Sequence, residues 1–176
     1  MILTQEHERG DLAARETAGR LEGLYRAHAP DALRLAYLLT GDRTLAEDLS
    51  QDAFVKVLGR FHDIRNRDAF WWYLRRTIVN LSHSHFRRRR VERAWLERQG
   101  VEEAAPAATD LAERDRLRRA LMMLRPEQRA AIVLRYYEDL SEADTAEALG
   151  VAVGTVKSMV SRGMRRLRDE LPEDDR

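Results

Sequence analysis

Apolar residues recur at three- and four-residue spacing along almost all of this 176-residue chain, and the alternation of a half-buried strand is nearly absent. That periodicity restricts the fold to helices that pack through apolar stripes. It predicts helices at about residues 20–39, 45–60, 68–90, 111–124, 126–138, 142–149 and 153–171. The breaks between them carry the expected chemistry. Gly41 with Asp42 ends the first helix, and Pro126 suits a first helical turn. Ser141 with Asp144 resembles a capping box, and Gly150 is a helix stop. The stretch GVEEAAPAATD, residues 100–110, lacks large apolar side chains apart from its first valine and contains a proline. The reading is an all-α chain of two small helical domains joined by a flexible acidic linker. Residues 1–19 form a loosely ordered segment, 20–96 the first domain, 97–110 the linker, 111–171 the second domain and 172–176 an acidic tail.

Hydrophobic residues make up 44% of the chain, enough for real cores, while 35% is charged. With no cysteine, disulfides, thiolate zinc sites and a cysteine nucleophile are excluded. No apolar run reaches the length of a membrane span, and MILTQEHERG lacks the pattern of a signal peptide, so a cytoplasmic protein without membrane insertion is expected. The net charge of +1 hides strong segregation. Residues 60–93 hold ten arginines against Asp63, Asp68 and Glu92, and residues 154–168 hold five basic residues and no acid. Residues 97–115 hold six acids against Arg98 and Arg114, and Asp169, Glu170, Glu173, Asp174 and Asp175 crowd the end. Two basic blocks this clean point to contact with a polyanion at two places; the alternative is solvated helix faces. No Gly-rich phosphate loop or nucleophile constellation is present, so no catalytic residue and no cofactor is expected. His83 and His85 stand two apart on a helix and point to different faces, so no metal site is expected either.

The last helix carries its function on its periodicity. Val156, Val160, Met164, Leu167 and Leu171 form one face, with Gly163 beside it. Thr155, Ser158, Arg162, Arg165 and Arg166 form the opposite face, with Met159 and Ser161 on the flanks. A short helix, a tight turn at residues 150–152 and this longer helix make a helix-turn-helix, whose second helix is offered to a major groove. A plain helical hairpin is the alternative.

Two further stretches ask for partners. In LAEDLSQDAFVKVLGRF, residues 45–61, Leu45, Leu49, Ala53 and Val57 form a core stripe, while Glu47, Asp48, Gln51, Val55 and Leu58 lie on the far side. Apolar residues exposed among acids and an amide suggest a protein-binding surface. In DAFWWYLRRTIVNLSHSHFRRRR, residues 68–90, Phe70, Leu74, Ile78 and Leu81 point inward. Trp72, Arg75, Arg76, Asn80, His83 and Arg87 lie mainly on the other side. Aromatics beside arginines suit single-stranded DNA, where bases stack and phosphates are neutralised.

LSEADTAEALGVAVGTVKS, residues 140–158, resembles the DNA-binding C-terminal domain of bacterial sigma factors, especially the short extracytoplasmic-function type. LRPEQRAAIVLRYYEDL, residues 124–140, looks like the helix before that motif, and YLRRTIVN, residues 73–80, resembles the family's −10-binding helix. The resemblance implies a non-enzymatic factor that binds core RNA polymerase and promoter DNA. It assigns −35 recognition to Thr155, Lys157, Ser158, Met159, Ser161, Arg162, Arg165 and Arg166. It assigns −10 recognition to Trp72, Tyr73, Arg76, Asn80, His83 and Arg87, with the loop at residues 61–68 helping to open the element. Polymerase binding falls to Glu47, Asp48, Gln51, Val55 and Leu58. Ala152 stands where the family usually has a capping serine, and Met159 where it usually has arginine or glutamine. The acidic linker, with Glu102, Glu103 and Asp110, is expected to run through the polymerase toward the RNA path. Family members are often held by an anti-sigma factor between the two domains. A helix-turn-helix regulator that never joins the polymerase is the second reading, and residues 45–61 separate the two.

Overall fold

The computed structural model describes residues 2–59, 67–98 and 114–170, and all secondary structure among them is helical. The elements are α1 (Ile2–Thr40), α2 (Arg43–Leu58), α3 (Arg67–Arg98), α4 (Arg114–Met123), α5 (Pro126–Ile132), a π-helical turn (Val133–Tyr137), α6 (Glu142–Leu149) and α7 (Val153–Glu170). Residues 61–66 of the loop expected at 61–68 and residues 99–110 of the linker expected at 97–110 lie outside the described residues, as do Leu171 and the acidic tail.

Helix boundaries follow local chemistry. The Asp42 side chain accepts from the Leu45 N–H at 3.1 Å and caps α2. Ser141 does the same for α6, accepting from the Asp144 N–H at 3.0 Å while its hydroxyl donates to the Asp144 carboxylate at 2.6 Å. At the other end of α6, Gly150 takes φ 66°. The N–H groups of Gly150 and Val151 close on the carbonyls of Glu147 and Ala146, a Schellman arrangement that ends the helix and sets the turn. The α7 helix starts at Val153, as expected, although Ala152 offers no side-chain cap; its carbonyl accepts from the Thr155 and Val156 N–H groups.

Three boundaries differ from expectation. The first helix begins at Ile2 rather than near residue 20, so the segment expected to be loosely ordered is helical. Alanine, leucine, glutamate and arginine dominate residues 11–22, and their helix propensity does not depend on burial. The third helix continues past residue 90 to Arg98, into the stretch where the linker was expected to begin, because nothing in VERAWLER breaks a helix. The helix predicted over 126–138 is α-helical only to Ile132; the Glu138 N–H then reaches the Val133 carbonyl in a wider π turn.

Helices α1, α2 and α3 pack against one another, and α5 and α6 pack on α7. Gly163 lets α7 approach α5 closely, since a Cβ there would stand 2.6 Å from Ile132 Cδ1. Most of the buried apolar residues form one continuous cluster from Leu24 to Leu167, and α3 also packs on α5 and α6. Phe70, Leu74 and Ile78 are fully buried as expected. At ~25 cal/mol per Å², each of these is worth a few kcal/mol at most.

Beside that apolar cluster, the seam between the two halves carries charged and polar groups from both sides. Arg75 Nε donates to Glu138 Oε2 at 2.8 Å, and both side chains are about nine-tenths buried. Arg75 was expected on the outward face of its helix; the second half of the chain covers it. Arg129 is also buried, with its guanidinium 4.9 Å from the Phe86 ring centre, and burial pushes its pKa down to about 10. His83 faces Pro126, Glu127 and Arg129 across the same seam. At the edge, Gly41 takes φ 69°, its carbonyl accepts from Arg118, and an added Cβ would stand 2.5 Å from Met122 Sδ and 2.8 Å from Met122 Cγ.

Two consequences are measurable. Gly41→Ala should destabilise the chain by about 1–2 kcal/mol from its left-handed backbone alone, read by urea unfolding. Met122→Ala in the same chain should relieve the contact and leave that backbone cost. The second concerns His83, whose pKa burial lowers, more than Glu127 raises it. The folded chain therefore takes up this proton less readily than the unfolded chain. The stability that His83 contributes is complete above its ordinary value of 6.5 and is lost as pH falls through the lower, folded value. The melting temperature should fall between about pH 7.5 and 5.5, and His83→Gln should flatten that fall. Comparing the two chains removes the opposite contribution of Glu138, whose carboxyl burial pushes up.

Candidate nucleic-acid interface

The residues expected to read DNA sit on two helices. On α7, Val156, Gly163 and Leu167 are buried against α5 and α6, and Val160 and Met164 are half-buried. This orientation turns Lys157, Ser161, Arg162, Arg165 and Arg166 to the exposed side. Thr155, Ser158 and Met159 are half-buried. The Ser158 hydroxyl donates to the Thr155 carbonyl at 2.9 Å, and Arg162 Nε donates to the Ser158 carbonyl at 3.0 Å. Both are bonds within one helix turn that a competing ligand could replace. Lys157 lies 3.4 Å from Glu142, an exposed pair of small energetic weight.

On α3, Trp72, Arg76, Asn80, His83 and Arg87 follow one another at helical spacing and make one stripe, with Tyr73 a step to the side. Asn80, Arg87 and Tyr73 are exposed, whereas Trp72, Arg76 and His83 are half-buried. The tryptophan pair divides its roles. Trp71 stacks on His28 at 5.4 Å and carries the Arg75 guanidinium 5.3 Å from its ring centre, so it is structural. Trp72 packs partly against the core, which leaves Tyr73 as the most exposed of the three consecutive aromatics. Burial also lowers the pKa of His85, ahead of the nearby arginines, which favours a neutral ring there.

Parts of the two stripes meet in one cleft. A cleft of about 2650 Å³ opens between the halves of the chain, with Asn80, His83 and Arg87 on one wall and Met159 and Arg162 on the other. Eleven arginines line it, against the carboxylates of Asp42 and Glu127 alone. Such a cleft concentrates positive potential and favours polyanions. Of the α7 set, Thr155, Lys157, Ser158, Ser161, Arg165 and Arg166 do not line it, and neither do Trp72, Tyr73 and Arg76 of the α3 set. At the far end of the α3 stripe the electrostatics reverse: Trp72 shares a smaller cavity with Asp144 and Glu147, and Arg76 lies 4.0 Å from Glu147.

The expected protein-binding face of α2 is formed in part. Leu49, Ala53 and Val57 are buried with Ala46 and Phe54, which exposes Glu47, Asp48, Gln51 and Val55, the last at 69%. Leu58 was expected beside them but is half-buried against the core, because it follows Val57 into the α2–α3 contact. Glu47 pairs with Arg43 at 3.0 Å.

Sequence reasoning did not find Glu138, Arg129 or Phe86, which hold α3 against the second half. An arginine and a glutamate 63 positions apart carry no local signal of pairing. The one hint was that Arg75 has no acid one helical turn away. Among the described residues, no group of three or more metal-ligating side chains exists, and no helix is long and apolar enough to cross a membrane.

Comparison with known proteins agrees with this layout. Residues 24–92 match the sigma-70 region 2 family and residues 114–167 the sigma-70 region 4 family. The chain is 37% identical over 143 residues to the RNA polymerase sigma-E factor of Streptomyces coelicolor, covering 81% of each chain. It is 36% identical over 169 residues to the ECF RNA polymerase sigma factor SigM of Mycobacterium tuberculosis, covering 92% of this chain and 84% of that one. Among solved structures, the sigma factor RpoE in complex with the anti-sigma factor NepR from Bartonella quintana superposes with a TM-score of 0.69 at 29% identity, covering 88% of this chain and 98% of that one. With a region 2 unit carrying the aromatic and arginine stripe, a region 4 unit ending in the helix-turn-helix, and relatives of matching length, the chain belongs to the extracytoplasmic-function (ECF) RNA polymerase sigma factors.

Proposed function

We propose that this sigma factor places core RNA polymerase on promoters through a two-point DNA contact, with α7 reading the −35 element and the α3 stripe holding the opened −10 strand. The observation that carries the proposal is the arginine-lined cleft that parts of the two stripes share, with α7 seated on its buried Val156, Gly163 and Leu167. In this reading Arg162 contacts bases or phosphates in the major groove, and Lys157, Arg165 and Arg166 neutralise phosphates. Thr155, Ser158 and Ser161 supply short polar contacts, and Met159 covers a thymine methyl or the helix flank. On α3, Tyr73 and Trp72 offer faces on which unstacked bases rest, while Arg76, Asn80, His83 and Arg87 follow the backbone. The factor works by binding and catalyses no reaction of its own; binding energy goes into unstacking bases and holding one strand. Because its partner is polymerase on DNA, it acts in the cytoplasm.

The α2 face is the polymerase handle. Glu47, Asp48, Gln51 and Val55 form an exposed patch in which apolar and acidic groups alternate, and Leu58 supports it from its half-buried position. An anti-sigma factor is a further partner in this reading. Support comes from the B. quintana sigma factor, which superposes on most of this chain and was solved with one bound. The arginine-rich cleft fits an acidic, amphipathic segment of such a partner.

The test uses the handle. Asp48→Arg with Gln51→Ala should reduce capture of core polymerase at least tenfold, since like charges set against a partner site cost several kcal/mol. Both positions are exposed, so the circular dichroism spectrum should stay unchanged. Capture at the original level would remove α2 from the interface.

A further inference from the structure

The α7 face offered to a groove is narrow, and its contacts can be sorted one by one. Thr155, Ser158, Met159 and Arg162 follow each other at three- and four-residue steps in the N-terminal part of the helix, the part of a helix-turn-helix that reaches base edges. Their internal hydrogen bonds decide what each has left to give. The Ser158 hydroxyl donates to the Thr155 carbonyl at 2.9 Å, so its proton is committed within the helix. Arg162 Nε donates to the Ser158 carbonyl at 3.0 Å, which leaves its two terminal amino groups as the donors for a ligand. Two parallel donors match the O6 and N7 acceptors of guanine better than any other base edge in the major groove. Lys157 lies toward the other flank, 3.4 Å from Glu142.

Met159 is the exception on this face, because it has no donor and only a weak acceptor. Its surroundings differ from those of a core methionine. Met164, five residues on, packs against the apolar cluster, whereas Met159 is half-buried and lines the cleft with Arg162. The one apolar group that base pairs present in the major groove is the 5-methyl of thymine. A methionine is long and unbranched, so its tip adapts to a target of that size. The spacing also fits. Met159 and Arg162 stand three residues apart, ~4.5 Å along the helix axis, and successive base pairs are stepped by ~3.4 Å.

We infer that Met159 and Arg162 read two neighbouring base pairs of the −35 element, Met159 through a thymine methyl and Arg162 through the acceptor edge of a guanine. The preferred element therefore contains a T·A pair beside a G·C pair. The inference rests on the assignment of α7 to the −35 element and adds which bases the helix selects. The two side chains divide the work. Arg162 supplies two directional, charge-assisted bonds. Met159 excludes water from the methyl and rejects cytosine, whose amino donor would be covered there without an acceptor.

The test uses the full chain with core polymerase. The complex selects an upstream element from randomised promoter DNA, and single groups are then removed from that DNA. Uracil in place of thymine removes the methyl alone, and 7-deazaguanine in place of guanine removes N7 alone. For the parent, uracil at one thymine should weaken promoter binding roughly fourfold, the worth of one buried methyl group. 7-Deazaguanine at the neighbouring pair should weaken it about fivefold. Met159→Ala should abolish the uracil penalty and keep the 7-deazaguanine penalty, and Arg162→Ala should do the reverse. Met159→Gln should move the preference at its pair from thymine to adenine, whose N6 and N7 a glutamine amide matches. A gained preference of this kind cannot come from misfolding. A selected element without adjacent T·A and G·C pairs, a parent indifferent to uracil, or a uracil penalty that survives Met159→Ala would overturn the Met159 contact. A 7-deazaguanine penalty that survives Arg162→Ala would assign Arg162 to phosphate and overturn its base contact. The wider assignment fails in a different way. If α7 does not read the −35 element, joint replacement of Arg162, Arg165 and Arg166 by alanine would leave the selected upstream sequence unchanged, and both readings would fall. If Arg165→Ala with Arg166→Ala still weakens upstream binding while the penalties ignore Met159 and Arg162, the base contacts alone would fall.

Discussion

The α3 helix has to serve two cores at once, and the rest of the molecule is arranged around that demand. One side buries Phe70, Leu74 and Ile78 against α1 and α2, as any amphipathic helix would. The other side carries Arg75, Arg76, Asn80 and His83, yet α5 and α6 pack on α3. A polar face can be covered only if its charges are matched, because an unpaired buried charge is costly. The seam meets this condition locally: Glu138 answers Arg75, and the Phe86 ring accepts the face of the Arg129 guanidinium. It meets it incompletely at Arg129 Nε and His83 Nε2, which have no protein partner. The seam thus combines matched charges with the apolar cluster that runs through both halves.

The same logic explains the charge pattern. A net charge near zero coexists with an arginine-lined cleft because the acids are placed elsewhere in the sequence and, in part, against the arginines themselves. In the free chain, Glu147 lies near Arg76, and Glu142 lies near Lys157. These exposed pairs are individually weak and screened by salt.

Much of this was legible in the sequence wherever the signal is local. The helix-turn-helix was readable because Ser141, Gly150 and the Val156–Leu167 stripe each act within a few residues. The orientation of α2 was readable for the same reason, apart from Leu58. The failures have separate causes. Arg75 looked outward because periodicity knows only one core, and this helix has two. Glu138 looked like an ordinary helix end because a π turn is a small change in hydrogen-bond register that composition does not encode. The N-terminal segment looked unstructured because it is polar, whereas helix propensity there is high. Residues 61–66 and 99–113 bear on −10 opening and on the reach between domains, and their roles rest on the resemblance to the family.

The central claim is the proposed two-point contact, in which α7 and the α3 stripe read two distant DNA elements. Hydroxyl-radical footprinting of this chain with core polymerase on a promoter selected by the complex addresses it most directly. The account predicts two protected patches centred about 25 base pairs apart, with protection of the upstream patch alone weakened by Arg162→Ala. A single continuous patch, or an upstream patch indifferent to Arg162, would contradict it.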